Sequence, residues 1–346
     1  MISEKVRVLI VGAGGVSTNH YQGWKNSNLA QICGIVDMSR EIALKRKEEW
    51  GCDADVFDSL STAITTTAPS VVDVCVNEHA HAQVGLEALS YGVPVLTEKI
   101  MAHSLAAGYS MARAARKEHC WAGVAYNYPY FPTISKLKAI IDSHEAGAVR
   151  AMNITCHAYC YHHILSILYH LFGPPDTIDA RHTKREWSTA FAQKFKIDEE
   201  LLYVPGATFS CRLVFPDNIV CTITASPVLS LGALPFHIIG IFDSSKAIEI
   251  TGLDWGKDMK GRMFYLPDTK GDMALGDFPD TSCQIAFDGY CADASRRLLS
   301  KQGPSFNWED GWNIMLLEHA MILSDKRHVT VNFRDLKAAK EAELEQ

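Results

Sequence analysis

Over about the first 120 residues, short apolar runs alternate with stretches whose apolar positions recur at helical spacing. The runs VRVLIV (6–11), QICGIV (31–36), SVVDVCV (70–76), PVLTE (94–98) and WAGVAY (121–126) predict strands. Between them REIALKRKEEWG, AHAQVGLEALSYG and SLAAGYSMARAARKEHC predict helices, the first two closing at a glycine suited to a left-handed C-terminal position. This alternation predicts a parallel sheet wound with helices. From about residue 127 the texture changes. One helix, TISKLKAIIDSHEAG, is followed by the alternating stretches RAMNITCHAY, ATFSCRLVF, NIVCTITAS and HIIGIF, which predict an open, mostly antiparallel sheet with one covered face. FNWEDGWNIMLLEHAMILSDKRH (306–328) predicts a long amphipathic helix, and DLKAAKEAELEQ a solvated helix or frayed end. The fold class expected is α/β: a doubly wound domain over 1–124, then an α+β domain over 125–346.

Composition adds limits. At 346 residues with 47% hydrophobic content, the chain has material for two cores. A net charge of −7 with no long basic segment argues against nucleic acid or an anionic membrane surface as partner, so a small molecule is expected. Ten cysteines are scattered singly without CxxC spacing, and the N-terminus lacks a signal-peptide layout, so unpaired thiols in a reducing cytoplasm are expected.

The stretch VLIVGAGGVSTNH sets Gly12, Gly14 and Gly15, followed by Val16, between a strand and a helix. Glycine permits a tight turn and lets the backbone approach a pyrophosphate at the positive end of the helix. Ser17 stands where the GxGxxG pattern has its third glycine. The following strand ends in Asp37, placed to accept hydrogen bonds from an adenosine ribose. A carboxylate there favours NAD; Arg40, three residues on, leaves NADP open, since it either turns to the ribose or is a solvated helix residue.

With these residues the chain resembles the glucose-fructose oxidoreductase, inositol dehydrogenase and MocA family (Gfo/Idh/MocA). His20 stands at the family's histidine position after the glycine loop. VCVNEHAHAQVGLEALSYGVPVLTEKI resembles the family's Thr-Pro-Asn-x-x-His-Ala stretch and Glu-Lys-Pro motif, giving His81, Glu98 and Lys99, with Val76 and Asn77 beside the cofactor. GVAYNYPYFPTISKLKAII resembles its N-x-R-x-x-P segment, retaining Asn127 and Pro132. Departures are Val76, Asn77 and Glu78 for Thr-Pro-Asn, Ile100 for the proline, and Pro129 for the arginine. Counting back from Gly173 in YCYHHILSILYHLFG puts the family histidine at His163, with Tyr159, Tyr161 and Ser166 at the two aspartate and one glycine positions of D-x-G-x-H-x-x-D. The resemblance implies a Rossmann domain, an NAD(P)-dependent oxidoreductase acting on a sugar, cyclitol or polyol, and pairing of copies through the open sheet.

Lys99 is placed by the resemblance as the proton carrier, and a partly desolvated amine can take a hydroxyl proton while hydride leaves the carbon. His163 has three readings: proton relay, hydrogen bonding to substrate, or a core histidine. His170, Tyr126, Asn127, Tyr130 and Tyr159 are further candidates for a sugar-binding pocket. A metal site is disfavoured, because seven-residue spacing sets His163 and His170 roughly 10 Å apart along a helix and no acid or thiol pair completes a shell. Two other functions remain in view: glycoside elimination or epimerisation through transient oxidation, and a dinucleotide-binding regulator without catalysis.

Overall fold

The computed structural model describes residues 5–144, 146–158, 161–182, 208–226, 236–243, 246–252, 260–265, 273–274 and 283–345. Two compact units emerge, Met1–Asn127 with Gln284–Met315, and Tyr128–Cys283 with Leu316–Gln346. A single cut after residue 124 assigns Gln284–Met315 to the second domain; in the structure this stretch packs into the first.

The first unit holds a six-stranded parallel sheet in the order β3-β2-β1-β4-β5-β6. Its strands are β1 (Val6–Val11), β2 (Ala30–Val36), β3 (Asp55–Phe57), β4 (Val71–Val74), β5 (Val95–Thr97) and β6 (Ala122–Val124). All four residues of β4 are buried, as a strand covered on both faces requires. The crossover helices are α1 (Ser17–Asn26), α2 (Arg40–Trp50), α3 (Leu60–Thr67), α4 (Glu78–Ser90) and α5 (Leu105–Glu118). Ser39, Ser59, Asn77 and Ser104 cap α2 to α5 with side-chain oxygens, whereas α1 has no side-chain cap. Gly51 and Gly92 adopt positive φ where α2 and α4 end.

The returning segment closes this unit. Helix α8 (Cys283–Leu299) lies so close to α1 that a Cβ on Gly23 would meet Cys291 Sγ and Phe287 O at 2.8 Å. Beyond it, Val124 N–H donates to Phe306 O, and the fully buried Trp308 donates through Nε1 to Thr97 Oγ1 and Gly123 O. Residues 302 to 308 therefore line the outer edge of β6.

The second unit carries a nine-stranded sheet, β14-β13-β12-β11-β7-β10-β9-β8-β15 among the described residues. Its strands are β7 (Val149–His157), β8 (Thr177–His182), β9 (Phe209–Phe215), β10 (Ile219–Ser226), β11 (Phe236–Phe242), β12 (Lys246–Gly252), β13 (Lys260–Tyr265), β14 (Met273–Ala274) and β15 (Val331–Asn332). The β7–β10 pairing is parallel and the other pairings are antiparallel. Along β9, Phe209, Cys211, Leu213 and Phe215 are buried while Ser210 and Arg212 are exposed, the period of two that a half-covered sheet produces. The helices here are α6 (Pro132–Ser143), α7 (Tyr161–Phe172), the last turns of α9 (Trp308–Arg327), and α10 (Phe333–Leu344). Phe172 of α7 packs on Phe215 with ring centroids 5.3 Å apart. Among the described residues no helix is long and apolar enough to cross a membrane.

Candidate functional site

The turn after β1 is built for close approach. Gly12 sits at φ +97°, its N–H bonds Val36 O, and a Cβ there would lie 2.7 Å from Cys75 O, so glycine is compelled by the protein itself. Gly14 and Gly15 differ: both are exposed, and a Cβ on either would meet nothing within 4 Å. Packing does not require glycine at those two positions. With α1 uncapped by any side chain, the turn offers the bare N-terminal amides and the room that a dinucleotide pyrophosphate needs. Asp37 closes the cradle: Oδ2 accepts from Ala13 N–H at 2.8 Å and Oδ1 from Ser39 N–H at 2.9 Å. Arg40 turns the other way and donates to Val56 O on β3. Val16 begins α1, its carbonyl accepting from Asn19 and His20.

The carboxyl ends of β4 and β5 complete the edge. Asn77 caps α4 through a bond from His79 N–H. His81 is 1% exposed, with Nδ1 2.9 Å from Ile100 O and Nε2 3.1 Å from Val76 O; as a neutral ring it donates to one of these two carbonyls. Burial holds its pKa below the usual histidine value. Lys99 follows β5, half-buried, with its N–H on Glu98 Oε2 at 3.1 Å and a cis bond to Ile100. Asn127, after β6, is 5% exposed, and its Oδ1 accepts no hydrogen bond from the described residues.

Beneath this edge lies a buried ion cluster. His20 points Nδ1 at Asp73 Oδ2, 2.9 Å away, and Nε2 at Glu98 Oε1, 3.0 Å away; His20 and Asp73 are 0% exposed. A neutral ring has one N–H to give, so two facing carboxylates call for imidazolium. Burial is the largest single influence and opposes that charge, but Asp73 and Cys75 together outweigh it and hold the His20 pKa well above the usual histidine value. Burial alone pushes the Glu98 carboxyl up; the His20 hydrogen bond and the Lys99 charge overcome this and bring it below the usual glutamate value. Trp24 Nε1 donates to Asp73 Oδ2 at 2.6 Å. His20 Nδ1, an Asp73 oxygen and Cys75 Sγ lie within 4.8 Å of one another. The His20 ring nitrogen faces Asp73, and burial pushes the Cys75 thiol up to about 12, so the trio as it stands is an ion pair beside a neutral thiol.

In the second unit, His163 is 3% exposed and stacks face to face on Tyr128, with centroids 3.8 Å apart and planes 8° from parallel. His162 adjoins it at 4.2 Å. Ser166 Oγ donates to His163 O within α7. His170 lies half-buried in the last turn of α7, Tyr130 is half-buried, and Tyr126 of the first unit is fully buried edge-on to Phe306. Tyr159 lies outside the described residues.

Sequence reasoning missed Asp73, Trp24 and Arg46, whose guanidinium contacts the glycine turn. A lone acid inside SVVDVCV was a usable signal, since a carboxylate in a doubly covered strand must be paired.

Comparison with known proteins fits this geometry. Residues 6–126 match the family described as "Oxidoreductase family, NAD-binding Rossmann fold". Glucose-6-phosphate 3-dehydrogenase of Bacillus subtilis is 26% identical over 151 residues, 43% of this chain and 41% of that protein. Inositol 2-dehydrogenase of Corynebacterium glutamicum is 26% identical over 148 residues, 42% of this chain and 44% of that protein. The match thus spans about two fifths of each relative. A structure of levoglucosan dehydrogenase with NADH and levoglucosan superposes with a TM-score of 0.79 at 15% identity, covering 95% of this chain and 100% of that one, a likeness of fold. Over residues 6–126 the chain thus resembles the Gfo/Idh/MocA family of NAD-binding oxidoreductases.

Proposed function

We propose that the protein is an NAD-dependent oxidoreductase that interconverts a secondary hydroxyl and a ketone on a sugar, cyclitol or related polyol. The observation that carries this is Lys99, anchored by Glu98 at the same sheet edge as a glycine turn with room for a dinucleotide. Relatives named for glucose 6-phosphate and inositol support the substrate class. A bound nicotinamide supplies the hydride acceptor. In the oxidative direction the Lys99 amine takes the hydroxyl proton, and in the reverse direction its ammonium returns it. His163, its ring plane fixed by Tyr128, holds the substrate through a hydrogen bond; Ser166, bonded to a backbone carbonyl, supplies no acid. Asn127 offers a buried acceptor with spare capacity to a ligand at the carboxyl edge. Association of copies through the open face of the nine-stranded sheet, where Ile241 is exposed, belongs to the same reading.

The test is reduction of NAD+ by the purified protein with myo-inositol, glucose 6-phosphate, a methyl glucoside and levoglucosan, followed by nicotinamide absorbance. Lys99→Ala is expected to lower turnover about 100-fold or more, the scale of a lost general base. Undiminished turnover in that variant removes Lys99 from the mechanism. Consumption of a glycoside without net NADH, with deuterium entering beside the oxidised carbon, would redirect the reading to elimination or epimerisation.

A further inference from the structure

The glycine turn is gripped from outside by α2. Arg46 Nε donates to Ala13 O at 3.2 Å and Nη2 to Gly14 O at 3.4 Å, while Nη1 meets Glu49 Oε2 at 2.5 Å. Gly14 O also accepts from Ser17 Oγ at 2.6 Å. Ala13 is thereby held at both ends of its backbone, its N–H by Asp37 and its carbonyl by Arg46. Within the described residues nothing accepts from the N–H groups of Gly14, Gly15 or Ser17. The turn thus has its carbonyls tied down on a cation and its amides open.

We propose that Arg46 is a positioning residue for the dinucleotide: it draws the Ala13 and Gly14 carbonyls onto its guanidinium, so that the turn presents N–H groups and a fixed positive charge to the pyrophosphate. The carbonyl oxygens carry partial negative charge and would repel a phosphate if they rotated inward, whereas a run of free amides attracts it. A planar fork suits the task, since it spans two successive carbonyls and a carboxylate at once, which a lysine ammonium does less well. The Arg46 side chain is 24% exposed, so its charge is less screened than that of Lys45, which is 76% exposed on the same helix. The proposal rests on the dinucleotide reading above and assigns this chain's own contribution to it.

The experiment titrates the full-length protein with NADH by fluorescence, and with ADP-ribose and adenosine by ligand-observed NMR. Arg46→Leu is expected to raise the Kd for NADH and ADP-ribose about tenfold and leave that for adenosine unchanged, because only the first two carry the pyrophosphate. Arg46→Lys should recover part of the loss, and Lys45→Leu, which removes the same charge one residue away, should bind like wild type. If Arg46→Leu is poorly folded, Arg46→Gln, which keeps a donor and loses the charge, takes its place. An NADH Kd within twofold of wild type, or equal weakening of adenosine, overturns the assignment and leaves Arg46 as a strut of α2. Wild-type protein that binds no NADH overturns the dinucleotide reading itself, an outcome visible before any variant is made.

Discussion

Glu98 and Glu318 are both almost fully buried, one in each unit, yet their acidities move in opposite directions. Glu98 is 4% exposed, bonded to the His20 imidazolium and to Lys99 N–H, and its carboxyl stays below the usual value. Glu318, on α9, is 0% exposed, neither carboxyl oxygen has a hydrogen-bond partner among the described residues, and burial pushes it up to about 8. Burial charges the same toll on both; partners decide whether the anion survives. The polar cluster under the carboxyl edge is thus a paired network, while the second unit keeps a buried carboxylic acid whose raised pKa favours the neutral form.

The sharpest way to break this contrast is to remove the partner. His20→Leu leaves Asp73 and Glu98 buried without their shared cation, and a loss of about 3–5 kcal/mol in urea-unfolding stability is expected. Glu98→Gln in that background should recover part of it. The wild-type cluster also has a pH signature: the His20 contribution is complete below its unfolded value and is lost progressively as pH rises from there through its high folded value. The Glu98 contribution is complete above its unfolded value and fades as pH falls through its lower folded one. Glu318 behaves in the reverse sense. Its folded value, about 8, lies above the 4.5 of an ordinary glutamate, so stability should fall by a few kcal/mol as pH rises between the two and then level off. Glu318→Gln should abolish that slope, measured as unfolding free energy across mildly acidic to mildly alkaline buffers; an unchanged slope would mean the acid is not the source. The smallest effect is expected at the His163 stack, where Tyr128→Leu should cost about 0.5–1.5 kcal/mol and raise KM more than it lowers kcat.

Much of the first unit was legible in the chain because its periods are unambiguous: the glycine turn, its flanking strand and helix, and Asp37 all fall where the pattern puts them. Strand β3, three residues long, and α3, rich in threonine, are too short and too weakly patterned to read. Helix α8 escaped notice because its pairing with α1 depends on Gly23, a contact with no local signature. The ion cluster was half visible: His20 and Glu98 came through resemblance, but their mutual approach across 78 positions needs the fold. Arg46 looked like any surface cation of an amphipathic helix until the turn it holds was in view.

The first unit is not a contiguous piece of chain, and this governs how it can be made. Gly123 and the tryptophan that bonds its carbonyl, Trp308, are 185 positions apart. A ribosome that has released β6 must still synthesise that whole stretch before the strand's outer edge acquires its neighbour. An open strand edge invites pairing with other chains, so nascent protein passes through an aggregation-prone interval set by translation speed. Residues 1–127 expressed alone would keep that edge uncovered.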